Sequence, residues 1–293
     1  MIPIAVFAPA KINLYLHVIG RRPDGYHLLD SLVAFADIGD RLAAEPAEAL
    51  SLEVTGPEAA HITVAADDNL VLRAARLLAG RAGVTGGASL HLEKNLPISA
   101  GIAGGSSDAA AALLALRRLW EAAIGDEQLH EIGASLGADI PACLYRRPVW
   151  VGGIGERLDP AAALPPAGIL LVNPRKVLPT ATVFKAWRSP FSHAGRFSSM
   201  PGDAVGLAQM LVPRRNDLTK VAIGHVPEIR AVLRQLGALP GVLLARMSGS
   251  GATCFALFAD RASAERARAT VAAAEPRWWC AAGAFIAEQG HSG

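Results

Sequence analysis

Cysteine is scarce: Cys143, Cys254 and Cys280 stand far apart in a chain of 293 residues. That spacing supplies neither a disulfide framework nor the paired ligands of a zinc site, so buried free thiols and a reducing compartment are expected. A strong charge of one sign is also missing. The formal net charge is +2, and no run of Lys and Arg interleaved with aromatics occurs, which argues against nucleic acid as a partner. No apolar stretch approaches the roughly 18 to 20 residues of a spanning helix. The opening residues, MIPIAVFAPAK, carry no basic leader and are broken by Pro3, Pro9 and Lys11. A cytoplasmic protein without a membrane partner is expected. Internal repeats and low-complexity tracts are absent, and the length suits two cores.

What is present is glycine in an informative place. Residues 97 to 108, PISAGIAGGSSD, lie between a strand pattern and a helix pattern. From Ser89 to Lys94, Leu90 and Leu92 alternate with His91 and Glu93, as in a half-buried strand. Asp108 to Trp120 is rich in Ala, Leu and Arg, with Ser106 or Ser107 placed to cap the first turn. Small residues let a polyanion approach the backbone, and the free N–H groups of a helix start attract it. The alternative is plain chain reversal. The loop has neither a Walker lysine nor the G-x-G-x-x-G spacing, so on the functional reading a nucleotide site of another kind remains.

Elsewhere, short strands are expected at Ile4 to Phe7 and Asn13 to Val18, followed by a turn-rich insert, GRRPDGYH, over Gly20 to His27. Helices are expected at Asn69 to Leu78, Asp126 to Leu136, Glu228 to Leu236 and Ala262 to Ala274. Further strands are read at Gly168 to Val172, Val242 to Arg246 and Cys254 to Phe258, with a last apolar stretch over 281–287. Gly152, Gly153, Gly155, Pro160 and Pro165-Pro166 form the best candidate linker, and Ser189 to Asp203 reads as a mobile surface loop.

Several residues stand out as chemically able. Lysine is rare, occurring only as Lys11, Lys94, Lys176, Lys185 and Lys220 where arginine otherwise supplies positive charge. Lys11 is either an edge lysine reaching solvent or a point charge for a phosphate or hydroxyl. Asp139, in LGADIP, either caps a helix with proline in its first turn or serves chemistry. MSGSGA, Met247 to Ala252, is a hairpin that lets backbone approach a ligand, or only a tight turn. Tyr26 and His27 offer a stacking plane beside an imidazole.

Taken in order, PAKINL, RRPDGYH, PISAGIAGGSSDAA, LGADIP, PTATVF and SGSGA resemble the GHMP superfamily of small-molecule kinases over nearly the whole chain, from Ala8 to about Phe258. DGYH and PTATVF point to the branch whose acceptor carries a cytidine diphosphate group. The resemblance implies an α+β fold of two domains, residues 1–157 like ribosomal protein S5 and 158–293 ferredoxin-like, with the active site in the cleft between them. It implies ATP and Mg²⁺ as cofactors, and phosphorylation of the 2-hydroxyl of a cytidine-diphosphate-linked methylerythritol in a non-mevalonate route to isoprenoid precursors. The alternatives are a kinase of the same superfamily for another small alcohol, or a non-catalytic nucleotide-binding sensor. By resemblance, Lys11 and Asp139 are the catalytic pair. Asn13, His27, Thr180 and the backbone at Ile154 would contact the substrate, whose cytosine would lie between Tyr26 and Phe184. Gly101, Ala103, Gly104, Gly105, Ser106 and Ser107 would wrap the ATP phosphates, and Asn69 and Lys94 would lie beside the adenine. Gly249, Ser250 and Gly251 would steady the phosphate loop or close over the substrate. The family usually has glycine where this chain has Ala103, which would cost about 1 kcal/mol or more if that position needs positive φ.

Overall fold

In the computed structural model, residues 2–62, 68–98 and 100–286 are described. They form two compact units whose segments interleave along the chain. One holds the residues up to Ala10, Gly39–Ile98 and Ala103–Arg146; the other holds Lys11–Ile38, residues 100–102 and the chain from Arg147 onward. Both mix strands with helices, as an α+β fold requires.

The chain opens with two long paired strands, β1 (Ile4–Arg21) and β2 (His27–Ala47). β1 runs unbroken through Pro9, so the two short strands read from sequence are one. Proline's fixed φ suits an extended chain and costs only a donor, and the Pro9 carbonyl still accepts a bond from Ser107 Oγ (2.8 Å). Residues 32–36 of β2, LVAFA, are buried on both faces, so they carry no polar alternation to read.

In the first unit, β3 (Ser51–Thr55) leads to α1 (Leu70–Ala82) and then β4 (Gly87–Glu93). β4 lies between β2 and β3, antiparallel to Arg41–Ala47 and parallel to β3. Leu90 and Leu92 are buried while Ser89 and His91 are exposed, the alternation expected. Next come α2 (Gly104–Leu119), α3 (Asp126–Leu136) and α4 (Ile140–Tyr145). α2 packs on α1 and α4, and its residues Ala109 to Leu113 are buried or nearly so. This helix starts at Gly104 rather than Asp108. Ser106 and Ser107 therefore lie inside its first turn and do not cap it.

In the second unit, β5 (Val149–Gly153) and β6 (Arg157–Pro160) make a hairpin that pairs with Leu29–Val33 of β2. Of the glycines expected to form a linker, Gly152 and Gly153 are thus held in a β-ladder and Gly155 lies in the turn between β5 and β6. β7 (Gly168–Asn173) is followed by α5 (Thr180–Ala186), α6 (Ala204–Leu211), α7 (Thr219–His225) and α8 (Glu228–Gly237). β8 (Leu244–Met247), β9 (Cys254–Phe258), α9 (Arg261–Ala274) and β10 (Trp279–Ala284) complete the described chain. Four of these strands form an antiparallel sheet in the order β10-β7-β9-β8. Its core joins Leu16 and Val18 of β1 to Leu170, Val172, Ile229, Val232 and Phe258. Residue 287 of the expected last apolar stretch lies outside the described residues. Residues 189–203 hold no helix or strand, as expected, and are tied down by Ser192 N–H to the Val18 carbonyl (2.9 Å) and Gly195 N–H to Asp30 Oδ2 (2.6 Å).

Candidate active site

A strand turns every second side chain to one side, and β1 uses that period to line up Lys11, Asn13, Tyr15 and His17, all buried. Asn13 Nδ2 donates to Ser31 Oγ (2.8 Å), which in turn donates to the Tyr15 carbonyl (2.5 Å). Tyr15 donates its hydroxyl to Asp30 Oδ2 (2.8 Å), and burial, reinforced by that carboxylate, raises the phenol well above its ordinary range. His17 Nδ1 lies 2.8 Å from the His193 carbonyl, while Nε2 accepts from the Arg215 N–H (3.2 Å). That pair of partners suits a neutral ring protonated on Nδ1.

The Lys11 N–H donates to the Ile102 carbonyl (3.1 Å), placing the strand against the loop that was read as a phosphate cradle. The same loop segment is gripped by the turn between β8 and β9. Ser248 Oγ donates to the Gly101 carbonyl (3.1 Å) and accepts from the Asn13 N–H (3.1 Å), and the Thr253 N–H donates to the Ala100 carbonyl (3.1 Å). Gly101 and Gly249 have φ of +70° and +54°. A Cβ on Gly101 would come within 2.6 Å of the Gly251 carbonyl oxygen, and one on Gly249 within 2.6 Å of the Gly101 carbonyl oxygen. Backbone packs on backbone there, so the SGSGA turn is more than a chain reversal. Asn216, which the sequence reading passed over, donates from Nδ2 to the Met247 and Gly249 carbonyls (2.8 Å each) and so fixes the turn from the other side. Arg246, buried just before the turn, donates to the Leu14 carbonyl (2.7 Å) and is lowered to about 10 by burial, with the nearby Arg214 charge adding to it.

Thr180, the first residue of α5, shares a hydrogen bond with Ser250 across 2.8 Å between hydroxyls. Phe184, one turn further along α5, has the His27 ring as a neighbour at 5.6 Å, inclined by 31°. Trp187 meets the same imidazole edge-on at 5.3 Å. Burial, with the charges of Arg21 and Arg188, lowers His27 below its ordinary value, so the ring is neutral near pH 7. Tyr26 sits at the tip of the β1–β2 hairpin and is 61% exposed. The Ile154 N–H is already given to Glu156 Oε2 (2.5 Å), which leaves its carbonyl for other partners.

In the other unit, the start of α2 carries no side-chain cap. Its N–H groups at Gly104, Gly105 and Ser106 precede the first intrahelical bond, from the Ser107 N–H to the Ala103 carbonyl (2.8 Å). Gly105 is exposed. Ala103 itself is left-handed, with φ 52° and ψ 33°, so alanine stands in the conformation that glycine tolerates best. Asn69 caps α1, its Oδ1 accepting from the Val71 N–H (2.9 Å). Lys94 is buried and bonds Asp40 and Asp108. Asp139 stands at the N-cap position of α4 and is exposed, yet its side chain makes no capping bond, so capping does not account for it.

Ser31, Asp30, Asn216, Ser248, Asp40 and Asp108 were not singled out from sequence. Ser248 and Asp108 lie within the quoted glycine-rich motifs, which was the available signal; Asn216 acts across a long sequence separation and offers none.

The sequence pattern described as GHMP kinases N terminal domain matches residues 69–147, and that described as GHMP kinases C terminal matches residues 199–276. A protein of Paramagnetospirillum magneticum named 4-diphosphocytidyl-2-C-methyl-D-erythritol kinase is 54% identical over 281 residues, covering 96% of this chain and 98% of its own. The protein of the same name from Rhodospirillum rubrum is 52% identical, covering 96% of this chain and 92% of its own. Among solved structures, a 4-(cytidine 5'-diphospho)-2C-methyl-D-erythritol kinase is similar with a TM-score of 0.78 and 37% identity, over 96% of this chain and 98% of that one. The mevalonate kinase of Methanococcus jannaschii shares the fold at a TM-score of 0.70 and 11% identity, over 98% and 99% of the two chains.

Proposed function

Since the chain belongs to the GHMP kinases and, within them, to the 4-diphosphocytidyl-2-C-methyl-D-erythritol kinase family, we propose that it transfers the γ-phosphoryl group of ATP to the 2-hydroxyl of 4-diphosphocytidyl-2-C-methyl-D-erythritol. That reaction would serve the non-mevalonate route to isoprenoid precursors, in the cytoplasm. The observation that carries the reading is the uncapped, glycine-lined start of α2, a set of N–H groups suited to a polyphosphate.

Phosphoryl transfer asks a protein mainly to align acceptor and phosphorus and to offset charge. Gly101, Ala103, Gly104, Gly105, Ser106 and Ser107 would hold the phosphates, with Asn69 and Lys94 beside the adenine. Asp139 would take the proton of the acceptor hydroxyl. An alcohol becomes acidic only as its bond to phosphorus forms, so a carboxylate of ordinary strength suffices late in the step. Lys11 would hold and polarise the same oxygen. Asn13, Thr180, His27 and the Ile154 backbone would orient the substrate, with the cytosine stacked between Tyr26 and Phe184 at roughly 1 to 3 kcal/mol per aromatic. The Ser248–Gly251 turn would keep the phosphate loop in place.

Among the described residues no group of three His, Cys, Asp or Glu side chains could hold a metal ion. Mg²⁺ bound with the nucleotide would neutralise phosphate charge.

The test is an assay of the purified protein with MgATP and, side by side, cytidyl-methylerythritol, homoserine, mevalonate and galactose. The cytidyl alcohol is expected to be the preferred acceptor, and preference for another would overturn the substrate assignment. Asp139→Asn is expected to lower kcat on the order of a hundredfold to ten-thousandfold with little change in the KM for ATP. Near-normal turnover would remove Asp139 from the chemistry.

A further inference from the structure

Two carboxylates and one ammonium lie together in the interior of the first unit, beside the start of α2. Lys94 Nζ donates to Asp40 Oδ2 and to Asp108 Oδ2 (2.6 Å), and the side chains of Lys94, Asp40 and Asp108 are 5%, 0% and 4% exposed. Fully ionised, the cluster would bury a net negative charge, which a protein interior strongly disfavours. The hydrogen bonds show which carboxyl gives way. Asp40 is committed as an acceptor on both oxygens, since Oδ1 takes the N–H groups of Asn95 (2.5 Å) and Leu96 (2.7 Å) while Oδ2 takes Lys94. Asp108 Oδ1, by contrast, is buried and has no hydrogen-bond partner among the described residues, a deficit far cheaper on a neutral acid than on an anion.

We propose that Asp108 is a positioning residue that works as a neutral carboxylic acid, leaving a single Asp40–Lys94 ion pair beneath the phosphate-facing end of α2. The idea rests on the kinase reading for the identity of the ligand, ATP, whereas the protonation state itself does not. Lys94 Nζ lies only 3.2 Å from where a Cβ on Gly104 would stand, so the pair supports the first residue of the helix. Burial pushes Asp108 up to about 8; Lys94 opposes this and the nearby Asp40 charge adds to it. Burial alone would pull Lys94 down, but the two carboxylates outweigh it and hold the ammonium above its ordinary value. α1 and α4, packed on α2, bury aliphatic faces whose one titratable group is the Cys143 thiol, and α3 buries Leu129, Ile132 and Gly133.

Loss of the Asp108 proton would set an unbalanced anion one turn below the N–H groups that would hold the phosphates, offsetting the positive field of the helix start that attracts them. Nucleotide affinity should therefore fall with rising pH. Stability should follow the same proton. The unfolded carboxyl ionises near 3.8 and the folded one near 8, so the stability due to the bound proton is complete below 3.8 and is lost progressively as pH rises through 8.

Two measurements test this. Infrared difference spectra of the wild type against Asp108→Asn at pH 7 should show a protonated-acid carbonyl band that fades as pH passes about 8. Its absence from the wild type would overturn the proposal even if the variant failed to fold. Equilibrium binding of MgATP should weaken in the wild type by up to about tenfold per pH unit above that point. Asp108→Asn, which mimics the neutral acid, should bind like wild type at pH 7 and show no alkaline loss. A variant that binds more than about tenfold worse at pH 7, or that keeps the alkaline loss, would equally overturn it. Failure to phosphorylate any alcohol would instead strike the kinase reading and leave the infrared result intact.

Discussion

At position 103 a methyl group occupies left-handed backbone at the very start of α2. Left-handed alanine costs roughly 1 kcal/mol or more, and glycine removes that strain while adding some freedom to the unfolded chain. Ala103→Gly is therefore expected to stabilise the protein by about 0.5 to 1 kcal/mol, raising the unfolding midpoint by roughly 2 °C in a chain of this size. Thermal unfolding by circular dichroism checks this, and a lower midpoint would show that the Ala103 methyl makes a contact worth more than the strain. The departure from the family pattern was visible in the sequence, but the sign of φ was not. Lys94 teaches the same lesson. Its rarity marked it, yet its burial between Asp40 and Asp108 depends on residues that the chain brings together only by folding.

Turns and helix starts carry most of what this chain does with phosphate in the proposed reading. The turn between β8 and β9 is built for close approach, because the Gly249 α-carbon faces the Gly101 carbonyl and Asn216 holds the Met247 and Gly249 carbonyls. Gly249→Ala must displace either backbone. It is expected to cost about 1 to 3 kcal/mol of stability and to raise the KM for ATP more than it lowers kcat. Urea unfolding together with steady-state kinetics measures both, and an unchanged KM for ATP would separate the turn from the phosphate loop. Element types were largely legible here: α3, β9 and α8 lie where their periodicity and end signals put them, and β4 shows its expected alternation. Errors fell where local signals compete with pairing. Pro9 suggested a break that an extended strand tolerates, and the glycines after Trp150 suggested a linker where β2 supplies ladder partners.

Chain order and compactness disagree in the whole molecule. Leu16 and Val18, near the start, bury themselves with Leu170, Val172 and Phe258 from far downstream, all within one unit. A division at residue 157 separates these partners. Fragments 1–157 and 158–293, made separately, are each expected to lack cooperative thermal unfolding, since each leaves the other's share of that core in water. A sharp melt from the second fragment alone would show that Leu16 and Val18 are dispensable. No helix among the described residues is long and apolar enough to cross a membrane. By itself the sequence determined the family, the motifs with chemical capability and most element types, because hydrophobic period, turn residues and motif order are local properties of a chain. Only tertiary structure decided that Ala103 is left-handed, that the Ser248–Gly251 turn braces Gly101, and that Asp108 shares one lysine with Asp40, because backbone packing and the balance of buried charge arise only when distant segments meet.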